Sequence, residues 1–177
     1  VWAKSFPEQT GVVNFNKNEL ILEVGLDSGT IIFYKTSQES KYFVYDELCK
    51  IKPHIMRVMG LDYDDKSGYV YSCGTDKKFF ITEINNTSLV SEIFESKSGF
   101  TNLISDSINQ RSFLTNESGE LYIYTTKTYP PSLLNCVQTH TTNCIRGIEI
   151  DYVKQYIFTA TNKGDISILA LGQPGKE

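Results

Sequence analysis

Four stretches of this chain share one pattern, a polar turn followed by alternating large apolar residues. They are DSGTIIFYK at 27–35, YVYSCGTDKKFFITE at 69–83, ESGELYIYT at 117–125 and NKGDISILA at 162–170. The stretch at 69–83 shows the grammar best. Residues 69–73 and 78–82 are β-branched and aromatic, as strands require, and Gly74, Thr75 and Asp76 between them supply turn chemistry. The equivalent turn positions are Gly29, Lys77, Gly119 and Gly164, in steps of 48, 42 and 45 residues (29 to 77, 77 to 119, 119 to 164). A period near 45 with several strands per unit restricts the chain to a repeat architecture built from small antiparallel sheets.

Sheets repeated at that length are the signature of β-propeller blades. The expected fold is all-β, a single propeller segment over residues 1–177, with about four consecutive four-stranded antiparallel blades. The blades are expected near 11–48, 54–95, 99–138 and 140–171. Residues 1–6 read as the outer strand of a preceding blade anchored by Trp2. Inner strands are expected at 12–15, 57–63, 100–104 and 144–150. The fourth unit carries only three strands before Gly172 and Pro174 stop the pattern. Both ends therefore fall mid-blade, and two bare apolar faces are expected, lined by Phe15, Ile31 and Phe33 and by Ile148, Ile166 and Ile168. The missing faces are expected to come from a longer chain or from another copy. Val1 in place of Met likewise reads as a processed product or a fragment.

Composition narrows the function classes. Eleven Tyr and ten Phe against two Met and two His suit a β-rich core, and a net charge of −4 with no long basic run speaks against a nucleic-acid partner. No stretch approaches the ~20 apolar residues of a membrane span, so no direct membrane insertion is expected. Cys49, Cys73, Cys136 and Cys144 have no CxxC or zinc-module spacing and read as reduced thiols of a cytoplasmic protein. Asp62, Asp64 and Asp65 lack the loop Gly and distal Glu of an EF-hand and read as a solvated turn. No HExxH or GxSxG motif is present. No catalytic residue, cofactor or metal ligand is expected.

The same residues resemble WD repeats. Each blade of that family has a His before the inner strand, a Ser or Thr in the second strand, an Asp in the following turn and a Trp-Asp ending the third strand. His54 and His140 stand at the His position, Ser72 and Thr159 at the Ser position, and Asp76 at the turn Asp. The Trp position holds Tyr34, Thr82, Tyr124 and Leu169, and the Asp after it Lys35, Glu83, Thr125 and Ala170. The resemblance implies structural hydrogen bonds for His54, Ser72, Asp76, His140 and Thr159. It also implies that the blades belong to a seven-blade ring, and a non-catalytic scaffold that binds other proteins. GLDSGTI at 25–31 and VYSCGTDKKFF at 70–80 are similar to blade turns of WD-repeat and FYVE-domain proteins, which implies as an alternative an endosomal trafficking adaptor whose FYVE module lies outside this chain.

Overall fold

The computed structural model describes residues 3–18, 20–39, 42–64, 67–84, 86–141 and 143–172. These residues form fifteen strands in four antiparallel meanders. The first sheet holds β1 (Thr10–Asn16), β2 (Ile21–Leu26), β3 (Ile31–Glu39) and β4 (Tyr42–Ile51). The second holds β5 (Val58–Asp64), β6 (Tyr69–Gly74), β7 (Lys78–Glu83) and β8 (Asn86–Glu95). The third holds β9 (Phe100–Asp106), β10 (Arg111–Asn116), β11 (Glu120–Thr125) and β12 (Ser132–Gln138), and the fourth only β13 (Ile145–Asp151), β14 (Tyr156–Thr161) and β15 (Ile166–Ala170). The chain divides into two compact units, Val1–Glu95 and Ser96–Glu177, of two sheets each.

The sequence period is a backbone period. Gly29, Lys77, Gly119 and Gly164 all adopt positive φ, at 86°, 70°, 83° and 90°. Each donates its N–H to the carbonyl three residues earlier, on Leu26, Gly74, Asn116 and Thr161. The preceding turn repeats as strictly, with Leu20, Gly68, Gln110 and Gln155 at φ 55°, 73°, 53° and 59°. Three of those four are not glycine, so composition did not reveal this second series. Its carbonyls accept from the N–H groups of Thr36 within β3 and of Ile84, Thr126 and Leu171 just beyond β7, β11 and β15.

Directly paired residues of an antiparallel ladder share a face, and neighbours along a strand alternate. In the first unit Ile21, Ile31 and Phe33 lie on one face of the first sheet and form a single cluster with Val58, Leu61 and Val70 of the second. In the second unit Phe113, Leu121 and Ile123 of the third sheet meet Ile150, Ile157 and Leu171 from the fourth. Sheet-to-sheet burial is the main stabilising term, at about 1.5–3 kcal/mol for each large apolar side chain removed from water.

Two sequence expectations are corrected. Ile31 and Phe33 do not line a bare face; both are fully buried, because alternation turns them toward the second sheet and leaves Phe15 on the opposite side, 42% exposed. On the fourth sheet Ile166 and Ile168 are open, at 73% and 62%, whereas Ile148 points the other way and packs against the cluster shared with the third sheet. Residues 3–6 lie outside any strand, and Trp2 lies outside the described residues. Pro7, which has no N–H to give a ladder, follows directly. The segment docks by side chains instead: Phe6 packs on Val24, Leu26, Ile32 and Tyr34, and Lys4 Nζ lies 4.8 Å from the Tyr34 ring centre.

Candidate functional site

Each sheet is entered through a short loop that ties back to its own second turn. Backbone N–H groups of Asp27, Thr75, Glu117 and Asn162 donate to the carbonyls of Gln9, Arg57, Gly99 and Cys144. Three residues before those acceptors stand Phe6, His54 and Ser96; in the fourth sheet the corresponding residue is Thr141, with His140 just before it. These loops hold the candidate residues.

In the second sheet the structure brings His54, Ser72 and Asp76 together. His54 Nδ1 lies 2.9 and 3.0 Å from the two Asp76 carboxylate oxygens, and Nε2 lies 3.0 Å from Ser72 Oγ. A carboxylate only accepts, so Nδ1 carries the proton. Asp76 also accepts the backbone N–H of Ile55 at 3.1 Å and of Lys78 at 3.3 Å. Burial pushes the Asp76 carboxyl up, but the hydrogen bond and charge of His54 and these two N–H groups outweigh it and hold the group below its ordinary range. The Phe80 ring meets the imidazole edge-on, with centres 4.9 Å apart. Gly74 makes room, since a Cβ there would come within 2.9 Å of both Asp76 Oδ1 and His54 Nδ1.

Serine, histidine and aspartate in this order form the relay of a hydrolase. Here Ser72 is fully buried and His54 is 1% exposed, so no substrate carbonyl reaches Oγ. The relay fastens the entry loop to the turn. The neighbouring Cys73 thiol is pushed up by burial and by the Asp76 charge, away from a reactive thiolate.

The other sheets fill the same place differently. In the fourth, His140 Nε2 lies 2.9 Å from Thr159 Oγ1, both buried, but Lys163 occupies the position of Asp76. In the first sheet the place of His54 is taken by Phe6 and that of Ser72 by Val24, and the contact is apolar. In the third, Asn116 Nδ2 donates to Glu120 Oε2 at 2.6 Å and to Ser96 Oγ at 3.3 Å, and the Tyr122 hydroxyl donates to Glu120 at 2.8 Å.

Sequence reading missed Phe6, Phe80, the Asn116 network and a buried ion pair. Arg111 Nη2 lies 3.3 Å from Asp106 Oδ2 and also donates to Gln155 Oε1, 44 residues away. Asn109 Nδ2 donates to the same Asp106 oxygen at 2.7 Å. Such a contact joins turns of successive sheets and leaves no local signature. A cleft of about 340 Å³ in the second unit is lined by Ile123, Leu134, Val137, Leu169 and Leu171, with Arg111 and Asn135 as its polar side chains. Among the described residues no group of three His, Cys, Asp or Glu is placed to hold a metal, and no helix is long and apolar enough to cross a membrane.

No family model matches the chain, and no curated protein is similar to it in sequence. Solved structures are similar in fold. The β-propeller domain of Myceliophteria thermophila Cps50 (Swd1) superposes with a TM-score of 0.73 at 11% identity over 94% of this chain and 52% of its own. The sheets are β-propeller blades. Raptor from Chaetomium thermophilum matches with a TM-score of 0.74 at 15% identity over 98% of this chain and 16% of its own. The computationally designed Ika4 protein matches at 0.74 and 17% identity over 96% of this chain and 95% of its own. This chain thus spans about half of the Swd1 domain structure and a small part of Raptor.

Proposed function

We propose that the chain is a non-catalytic scaffold of the WD-repeat type that binds other proteins through its blade turns. The observation that carries this reading is a division of labour. Side chains capable of chemistry are spent in buried bonds, while turn tips display large apolar groups. His54, Ser72, Asp76, His140 and Thr159 are all at most 8% exposed. On successive turns of the second unit Ile108 is 76% exposed and Val153 91%, and Tyr152 beside it donates its hydroxyl to Ser105 O. In the first unit Ile55 and Met56 are exposed at 79% and 50%. A rigid blade that carries apolar loop tips suits protein recognition. We place the scaffold in the cytosol as part of the same proposal, in keeping with four unbridged cysteines. The narrower reading, a trafficking adaptor with a FYVE module elsewhere, is supported only by the resemblance of residues 25–31 and 70–80.

The test is proximity labelling in cells with the wild-type chain and an Ile108→Asp, Val153→Asp variant, after circular dichroism shows equal folding. The reading expects a set of partners lost with the variant. Turnover of an ester or peptide substrate that disappears with Ser72→Ala would overturn it.

A further inference from the structure

We propose that copies of this chain associate head to tail, the open face of the fourth sheet of one copy packing on the open face of the first sheet of the next. The inference goes beyond the scaffold reading and stands independently of it.

The register of the ladders identifies the faces. Aligned on Gly29 and Gly164, Ile166 and Ile168 take the positions of Ile31 and Phe33. In the first sheet those positions are fully buried against Val58, Leu61 and Val70 of the following sheet, and in the third sheet their equivalents, Leu121 and Ile123, are buried against Ile150 and Ile157. In the fourth sheet they are open, on the same face as the half-buried Phe158, which pairs with Ile168. The turn tells the same story. A Cβ on Gly29 would meet His54 O at 2.1 Å and one on Gly119 would meet His140 O at 2.2 Å, because the entry loop of the following sheet lies across each turn. A Cβ on Gly164 would meet nothing within 4 Å among the described residues.

The matching surface is on the first sheet. Paired with Val24 and Leu22, Val13 and Phe15 take the positions of Leu61 and Tyr63, and Leu22 that of Val70. In the second sheet these residues receive the first sheet, and their equivalents in the fourth, Ile148, Ile150 and Ile157, receive the third. Val13 and Phe15 remain 58% and 42% exposed. One chain thus carries both halves of the contact that it uses twice internally, and a second copy brings the complement in the right register. The contact is heterologous, so it closes a ring or propagates.

Sedimentation equilibrium of the purified chain and two variants, Ile168→Glu and Phe15→Glu, is the test. The wild type is expected at twice 20.1 kDa or more, and each variant at 20.1 kDa. An equimolar mixture of the two variants is expected to regain a dimer, because one keeps its first-sheet face and the other its fourth-sheet face. Should either variant misfold by circular dichroism, Ile166→Glu or Val13→Glu takes its place. A wild-type monomer at every soluble concentration would overturn the proposal and leave the faces to further blades of a longer polypeptide or to another protein. So would association that survives either substitution, or a variant mixture that stays monomeric, the mark of a symmetric contact.

Discussion

In the second sheet the entry histidine is held from both ring nitrogens, by Asp76 and by Ser72; in the fourth, His140 meets Thr159 and the place of the aspartate belongs to Lys163. The turns differ in parallel. Gly29 and Gly119 lie under the backbone of the next entry loop, whereas within one copy no described residue lies over Gly164. Turns of one pattern in the first, third and fourth sheets thus differ in whether a following entry loop lies over them. A repeat position acquires its energetic weight from the following sheet as much as from its own sequence.

The largest expected effect separates the glycines. Gly29→Ala combines a left-handed backbone with a collision against a carbonyl and is expected to cost about 3 kcal/mol, while Gly164→Ala carries the backbone term alone, about 1 kcal/mol. Urea unfolding of both variants, each also carrying Ile168→Glu to keep the chain monomeric, checks this, and equal losses would break the comparison. The second contrast is Asp76→Ala, expected to cost about 2 kcal/mol by stripping partners from buried His54 and two N–H groups, against near zero for Lys163→Ala. It has a pH signature. Asp76 titrates lower when folded than its ordinary value of 3.8, so its stabilisation is present above that value and is lost as pH falls through the folded one. Acid unfolding should therefore be steeper in the wild type than in Asp76→Asn. The smallest effect sharpens the turn argument. Lys77 holds φ 70° without being glycine, so Lys77→Gly should stabilise by up to about 1 kcal/mol, read as a raised melting temperature.

The repeat was legible because its third-strand turns demand positive φ, and at three of four such positions the chain uses Gly. His54, Ser72 and Asp76 were named together only through the resemblance to WD repeats, although Asp76 also read as a turn residue from its own chemistry. Phe6 was not legible. It replaces an imidazole by an apolar ring, and a phenylalanine beside a proline looks like any short strand. The direction of Ile31 and Phe33 was also misjudged. Alternation says that two residues share a face, but only the neighbouring sheet decides which face is covered. Asp106, Arg111 and Gln155 were silent because their contact bridges turns 44 residues apart.

His54 has a further consequence through its two attachments. Its backbone N–H reaches Gly29 O in the turn of the first sheet, while its ring is bound inside the second. Thr139 and His140 repeat this with Gly119 O, with the His140 ring bound in the fourth sheet. Opening of either sheet in such a pair removes a hydrogen-bond partner from the other, so the two exchange with solvent as one cooperative unit. Native-state hydrogen exchange should show the amides of β2 and β3 losing protection together with those of β6 and β7, and Asp76→Ala should lower protection in both pairs of strands.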